Sequence, residues 1–374
     1  MPPVEVDQAT AAISVLSLKE QQQMLQRQPL QRNYALDALY KNKKIQPHIG
    51  SEFEKGIQIR DILNAPNANE LILDFAVLVS ERNVVFLRDQ NLTFDEQKNF
   101  VDRLGRTTGK PATSKLHIHP TTENSSELGD EALIITSKNA GKYVSAYSDC
   151  GELHSNGWHS DITFEPVPSD YAALIIRNAP EEGGDTLWAS AYEVYERLSP
   201  AFRAFLEGLT ATHAGDGFLR LEKLGFVTIN EGPRGAPEDV GKNLDAVHPV
   251  IRTNPVTGWK GVFVNRGFTR RINELSKDES DIVLEHLYNV ITQNHDLQVR
   301  FRWNKNDVAV WDNRSAVHTA TTDFDPDQFI RFGQRATSLG ERPYFDSKST
   351  SRREALGIAP PVARRAHLAA LAKV

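Results

Sequence analysis

The chain is 374 residues long, 40% apolar and 25% charged, the balance expected of a soluble globular protein with one large or two modest domains. Forty-three Lys and Arg against 49 Asp and Glu give a net charge of −6, so no global positive field gathers nucleic acid or an anionic membrane, and an anionic ligand must be met by locally placed arginines. The single cysteine, Cys150, excludes an intramolecular disulfide, a multi-cysteine zinc site and a cysteine-ligated iron–sulfur cluster.

In chain order, the amino terminus lacks a basic region followed by an apolar one, so no secretory signal is expected and the chain reads as cytoplasmic. Residues 1–50, rich in Gln and Lys, read as an extension before a domain spanning 51–347, with 348–374 as a carboxyl-terminal tail. Asn67 to Arg82 has the apolar spacing of a helix, and Val84 to Leu87 reads as a short buried strand. Within that helix the longest apolar run, Leu71 to Val79, is broken by Asp74 and is too short to span a bilayer. Thr93 and Glu96 form a capping box for a second helix that Gly105 is placed to end.

From Ala132 onward strand signals dominate: Ala132–Thr136, Tyr171–Arg177, Thr186–Ala189, His248–Thr253, Lys260–Val264, Gln298–Trp303, Asp307–Trp311 and Phe329–Ser338. Short β runs separated by Gly, Pro, Asn and Asp predict an antiparallel sandwich or barrel, interrupted by helices opening at Ser199-Pro200 and Ser276-x-x-Glu279. The polar stretch Ser137 to Asn156 reads as a mobile loop, expected to close over a substrate.

That loop runs into Gly157-Trp158-His159-Ser160-Asp161. On a strand, residues two apart share a face, so His159 and Asp161 can face one metal ion. Alone this says little, because chance supplies about one His-x-acid triplet in a chain of this composition. A third ligand is available at His318, which closes Trp311-Asp312-Asn313-Arg314-Ser315-Ala316-Val317-His318. Two His and one carboxylate on one face of an ion is the ligand set of non-haem Fe(II) oxygenases. Beyond it, Arg331 and Arg335 lie four apart and share a strand face, and burying guanidinium is costly without an anion to pair with. Gly183-Gly184-Asp185-Thr186 supplies a tight turn and a hydroxyl.

Seven blocks in order, VVFLRDQ from Val84, LHIHP from Leu116, GWHSDITF from Gly157, GGDTLW from Gly183, GFTRRI from Gly267, WDNRSAVH from Trp311 and RFGQRATSLGERPYF from Arg331, resemble the taurine/2,4-D dioxygenase (TauD/TfdA) family, particularly its fungal sulfonate dioxygenase-like members. The resemblance covers about residues 70–346. It implies a mainly β fold with flanking helices, a double-stranded β-helix or cupin-like jelly roll, and an enzyme that uses Fe(II), O2 and 2-oxoglutarate, releasing succinate and CO2. It further implies iron at His159, Asp161 and His318; the distal carboxylate of 2-oxoglutarate at Thr186 and Arg331; and the primary substrate at Arg335 and His119. Ser155 stands where the taurine enzyme has an asparagine near its substrate, which sets taurine itself aside, and Arg266 either reaches the pocket mouth or faces solvent.

The expected substrate is a small anion, a sulfonate in the first reading. Oxidation of an amino or carboxylic acid in fungal secondary metabolism is the alternative, because arginine binds a carboxylate as readily as a sulfonate. A non-catalytic jelly roll that binds an anion has no need for an open-sided metal triad, and a zinc hydrolase lacks an evident general base. No nucleic acid or membrane partner is expected, and a homo-oligomer is left open.

Overall fold

The computed structural model describes residues 28–121, 128–137, 154–325 and 327–359. Its strands in chain order are β1 (Asn42–Lys44), β2 (Ser51–Phe53), β3 (Val84–Leu87), β4 (Leu133–Thr136), β5 (Ser169–Asn178), β6 (Thr186–Ser190), β7 (Thr210–Ala214), β8 (Asp245–Pro249), β9 (Ile251–Thr253), β10 (Lys260–Val262), β11 (Thr269–Ile272), β12 (Gln298–Phe301), β13 (Asp307–Asp312), β14 (Ala316–Ala320) and β15 (Phe332–Leu339). A large sheet has the order β1-β2-β3-β13-β5-β15-β4, antiparallel except where β2 meets β3. Opposite it lies β12-β6-β14, flanked by the sheet β11-β7-β8 and the pair β9-β10.

Alternate residues of a strand point to opposite faces, and both faces of the large sheet are covered. Val85, Leu87, Ala173, Ile175, Val308 and Val310 pack beneath the helices Ala68–Arg82 and Phe94–Thr107, against Phe75, Phe100 and Leu104. Val84, Phe86, Ala172, Leu174, Ala309 and Trp311 face inward and meet Trp188, Val299 and Phe301 of the smaller sheet. Phe86 stacks on Phe301 with ring centroids 4.1 Å apart. Two sheets face to face with helices buttressing one of them form the expected jelly roll. Among the described residues, no helix is long and apolar enough to cross a membrane.

Several details differ from expectation. The capping box is present, with Thr93 Oγ1 accepting from Glu96 N–H, but the helix continues through Gly105 to Thr107. Gly105 serves close approach instead: a Cβ there would lie 2.6 Å from Asp170 Oδ2 and from Lys110 Cδ. The run His248–Thr253 divides at Val250, because β8 pairs with β7 and β9 with β10. The last long strand begins at Phe332, so Arg331 precedes it.

Residues before 51 and after 347 are not all peripheral to the packing. Leu36 is fully buried in the core, and Arg32 donates through Nε and Nη2 to buried Asp74. Near the other end, Arg352 and Arg353 both pair with buried Glu193.

Candidate active site

His159 lies outside the strands and is held by two backbone bonds to β14: its N–H donates to His318 O (2.9 Å), and His318 N–H donates back to His159 O (2.7 Å). This bridge ties the two imidazoles to one backbone ladder, with ring centroids 4.3 Å apart. Asn313, in the turn before β14, places the third residue. Its Oδ1 accepts from Asp161 N–H (3.1 Å) and Trp311 Nε1–H (2.9 Å), while Ser160 Oγ–H donates to its carbonyl (2.6 Å). Ile162 follows with φ 51°, a left-handed conformation costly for a β-branched residue, where the chain turns away from Asp161. Behind His159 stands Gly267, where a Cβ would come within 3.0 Å of the histidine Cβ.

The ligand atoms of His159, Asp161 and His318 all lie within 4.8 Å of one another. Asp161 Oδ1 is 3.8 Å from His159 Nε2 and 3.7 Å from His318 Nε2. His159 Nδ1 is 2.8 Å from the Gly157 carbonyl, an oxygen that can only accept, so Nδ1 carries the proton and Nε2 keeps its lone pair. Burial lowers the pKa of both imidazoles, that of His318 to about 3, leaving them neutral. Burial also pushes the Asp161 carboxyl upward. The Arg335 guanidinium is the main influence that outweighs this and holds the carboxyl at about 2. Two neutral imidazoles whose Nε2 atoms both face Asp161 Oδ1, together with that carboxylate, are a donor set suited to a divalent ion.

Beside the triad, β6 begins at the Gly183-Gly184 turn. Both glycines have positive φ, and a Cβ on Gly184 would press on Arg331 Cδ at 3.2 Å. Arg331 therefore lies along this turn, donating from Nε to Gly184 O (2.9 Å) and from Nη2 to Thr186 Oγ1 (3.3 Å). Trp303 Nε1–H also donates to that hydroxyl (3.0 Å). Asp185, next in sequence, is taken by Arg300, and no carboxylate among the described residues hydrogen-bonds Arg331. Burial lowers its pKa to about 10, with the Asp185 charge offsetting only part of the effect. Arg331 and Thr186 thus come together as expected, with a guanidinium that no carboxylate among the described residues hydrogen-bonds.

Arg335, on β15, donates from Nη1 to Asp161 Oδ1 at 2.6 Å. His119 lies within its electrostatic reach, and burial, then Arg335, lowers the imidazole pKa to about 3. Thr121 N–H donates to His119 Nδ1, so the proton of this neutral ring is on Nε2. Two half-buried aromatics, Phe218 and Phe268, bridge the two histidines: Phe218 packs edge-on to His119 (5.0 Å) and Phe268 edge-on to His159 (5.9 Å).

Ser155 is placed elsewhere. Arg300, Leu187 and Thr319 are cross-strand partners on the face of the β12-β6-β14 sheet opposite to Trp188 and His318, and with Ser155 they line a cavity of about 540 Å³. Arg266 is tied to the helix Lys277–Gln293, pairing with Glu285 and lying over Tyr288. Most of the expected lid, from 138 to 153, lies outside the described residues.

Sequence reasoning passed over Asn313, Phe268 and Phe218. The first two sit inside quoted blocks, next to residues singled out there. Phe218 lies on the short helix Asp216–Lys223, which carried no sequence signal.

The model of the "Taurine catabolism dioxygenase TauD, TfdA family" matches residues 41–337. The alpha-ketoglutarate-dependent dioxygenase btcD of Neocamarosporium betae is 44% identical over 346 residues, 88% of this chain and 98% of that protein. An alpha-ketoglutarate-dependent sulfonate dioxygenase of Saccharomyces cerevisiae is 33% identical over 309 residues, 82% of this chain and 69% of that one. The crystal structure of a taurine dioxygenase from Burkholderia xenovorans superposes with a TM-score of 0.61 at 26% identity, over 81% of this chain and 92% of that one.

Proposed function

This chain belongs to the taurine catabolism dioxygenase TauD, TfdA family, and on that premise we propose that its Fe(II) is held by His159, Asp161 and His318, its 2-oxoglutarate by Arg331 and Thr186, and an anionic primary substrate by Arg335 and His119. It is an alpha-ketoglutarate-dependent dioxygenase, an oxidoreductase that uses Fe(II), 2-oxoglutarate and O2. When bound, the iron supplies the oxidising chemistry that couples decarboxylation of 2-oxoglutarate to oxidation of a substrate C–H bond.

The observation that carries the residue assignment is Arg331, buried with no carboxylate hydrogen-bonded to it among the described residues, next to Thr186 at the start of β6. A buried cation in that state favours a dicarboxylic cosubstrate, whose far carboxylate takes the guanidinium fork while Thr186 Oγ orients it. Arg335 and the His119 Nε2–H then offer donors to a second anion. Phe218 and Phe268 present apolar surface between His119 and His159, so the reacting carbon is held away from water. The protein's contribution is placement: one anion at each arginine fixes which C–H faces the metal.

A sulfonate fits this site, as does a carboxylate. The second reading, oxidation of an amino or carboxylic acid, rests on the same residue, because the Arg335 fork receives a carboxylate as readily as a sulfonate. Fe(II)-loaded protein with 2-oxoglutarate, tested against panels of sulfonates and amino acids, separates them. Sulfite release with succinate supports the first, and an oxidised acid with succinate the second. Acceleration of succinate formation only by neutral compounds would overturn the assignment of Arg335.

A further inference from the structure

Asp161 Oδ1 has two claims on it. It is the oxygen that faces both histidine Nε2 atoms, at 3.8 and 3.7 Å, and it is the oxygen that Arg335 Nη1 grips at 2.6 Å. A divalent ion held by the triad and the guanidinium thus both draw on one carboxylate oxygen.

The grip differs from the forks of two nearby buried pairs, although Arg252 also holds buried Glu341 with one arm. Arg234 holds buried Glu165 with a fork, Nε to Oε1 at 2.5 Å and Nη2 to Oε2 at 2.9 Å. Arg314 holds buried Asp312 in the same way, at 2.8 and 2.9 Å. Arg335 reaches Asp161 with one arm only, and Arg335 Nε and Asp161 Oδ2 are both left buried without a partner. A pair that leaves a donor and an acceptor unsatisfied forgoes the satisfaction that makes buried forks permanent. It suits a contact that is meant to be exchanged: the guanidinium still has the fork with which to receive a sulfonate or carboxylate.

We propose that Arg335 couples the metal site to the primary substrate, holding the ligand oxygen of Asp161 until an anion draws the guanidinium away. Metal and substrate anion then bind with positive cooperativity, and by linkage each raises the affinity for the other by the same factor. The proposal rests on the triad assignment above and goes beyond it, because a triad with an independent substrate arginine shows no such coupling.

The test needs no turnover. Mn(II) affinity is measured by the electron-spin resonance of free Mn(II) in metal-free protein, without 2-oxoglutarate, and repeated with saturating butanesulfonate or pentanoate. In the unmodified protein the anion should tighten Mn(II) binding on the order of 5- to 150-fold. Arg335→Gln should bind Mn(II) more tightly than the unmodified protein in the absence of anion, and the anion should add nothing. Arg331→Gln should retain the coupling, which places it at Arg335. A structural role for Arg335 predicts the reverse, weakened Mn(II) binding in Arg335→Gln, and that result would overturn the proposal. So would equal Mn(II) affinities of the unmodified protein with and without either anion, a measurement that does not depend on the variant folding. His318→Ala separates the two claims. If it binds Mn(II) as well as the unmodified protein, the triad assignment fails and the coupling with it; if it loses Mn(II) while the anion has no effect on the unmodified protein, the coupling alone fails.

Discussion

Arg331 and Arg335 are four residues apart and both buried, yet they differ in what they are tied to. Among the described residues the Arg331 guanidinium hydrogen-bonds a carbonyl and a hydroxyl, whereas Arg335 already holds a carboxylate. Removing Arg331 should therefore cost cosubstrate binding specifically. Arg331→Ala is expected to raise the apparent KM for 2-oxoglutarate roughly 10- to 150-fold, the loss of a charge-assisted bond, with Arg331→Lys recovering only part because it lacks the planar fork. Steady-state kinetics over a range of 2-oxoglutarate checks this, and an unchanged KM would remove Arg331 from the cosubstrate site. Both arginines and the three metal-ligand candidates are legible in the sequence because their types are costly to bury. The bond from Arg335 to Asp161 is not, since the two residues are far apart in sequence and are brought together only by the packing of β15 beside the bridged segment. Ser155 shows the opposite failure. Its position in the motif pointed inward, but the short turn it lies on places it at the far face of a sheet.

The turn between β13 and β14 is the element on which the site depends. Asp312 accepts from Arg314 with a fork, from Ser80 Oγ–H (2.7 Å) and from Asn254 Nδ2–H (3.0 Å), and Arg314 lies over the Tyr171 ring. Asp312→Ala takes the fork from a buried arginine that keeps only the longer contact to Glu341 Oε2 at 3.7 Å, and the loss should be about 3 kcal/mol in urea unfolding. The exposed cap at Thr93 is a smaller device, so Thr93→Ala should cost about 1 kcal/mol by the same measurement. Equal effects would mean that the turn is not the stronger element. Strands buried on both faces, such as β5 and β13, are legible as unbroken apolar runs. β11 is not: Thr269 and Ile272 are buried around exposed Arg270 and Arg271, and a bulge between Thr269 and Arg271 destroys the period of two.

Across the whole molecule, burial sets how stability follows pH. His117, His119, His213, His248 and His318 all have pKa values below the ordinary 6.5 because burial disfavours their charged form. The unfolded chain takes up these protons below about pH 6.5 while the folded chain refuses them, so their contribution is complete above that pH and is lost as pH falls. Asp170 and Asp239, raised by burial to about 6 and about 8, act in the other direction, stabilising the fold less as pH rises. The histidines outnumber them. The thermal midpoint of metal-free protein should fall between pH 7 and pH 5, with about 1.4 kcal/mol lost per pH unit for each net proton bound on unfolding. A midpoint that rises over this interval would show that the histidines are not buried in their neutral form.

The claim on which everything else stands is that His159, Asp161 and His318 form the working metal centre of a 2-oxoglutarate-dependent oxygenase. Succinate formed from 2-oxoglutarate, measured with Fe(II) for the unmodified protein and for His159→Ala, Asp161→Ala and His318→Ala, tests it most directly, with circular dichroism reporting the fold of each. The unmodified protein should form succinate, and each variant should fall to the rate seen without protein while keeping its β-rich spectrum. Full succinate formation by His318→Ala without added imidazole would contradict the account.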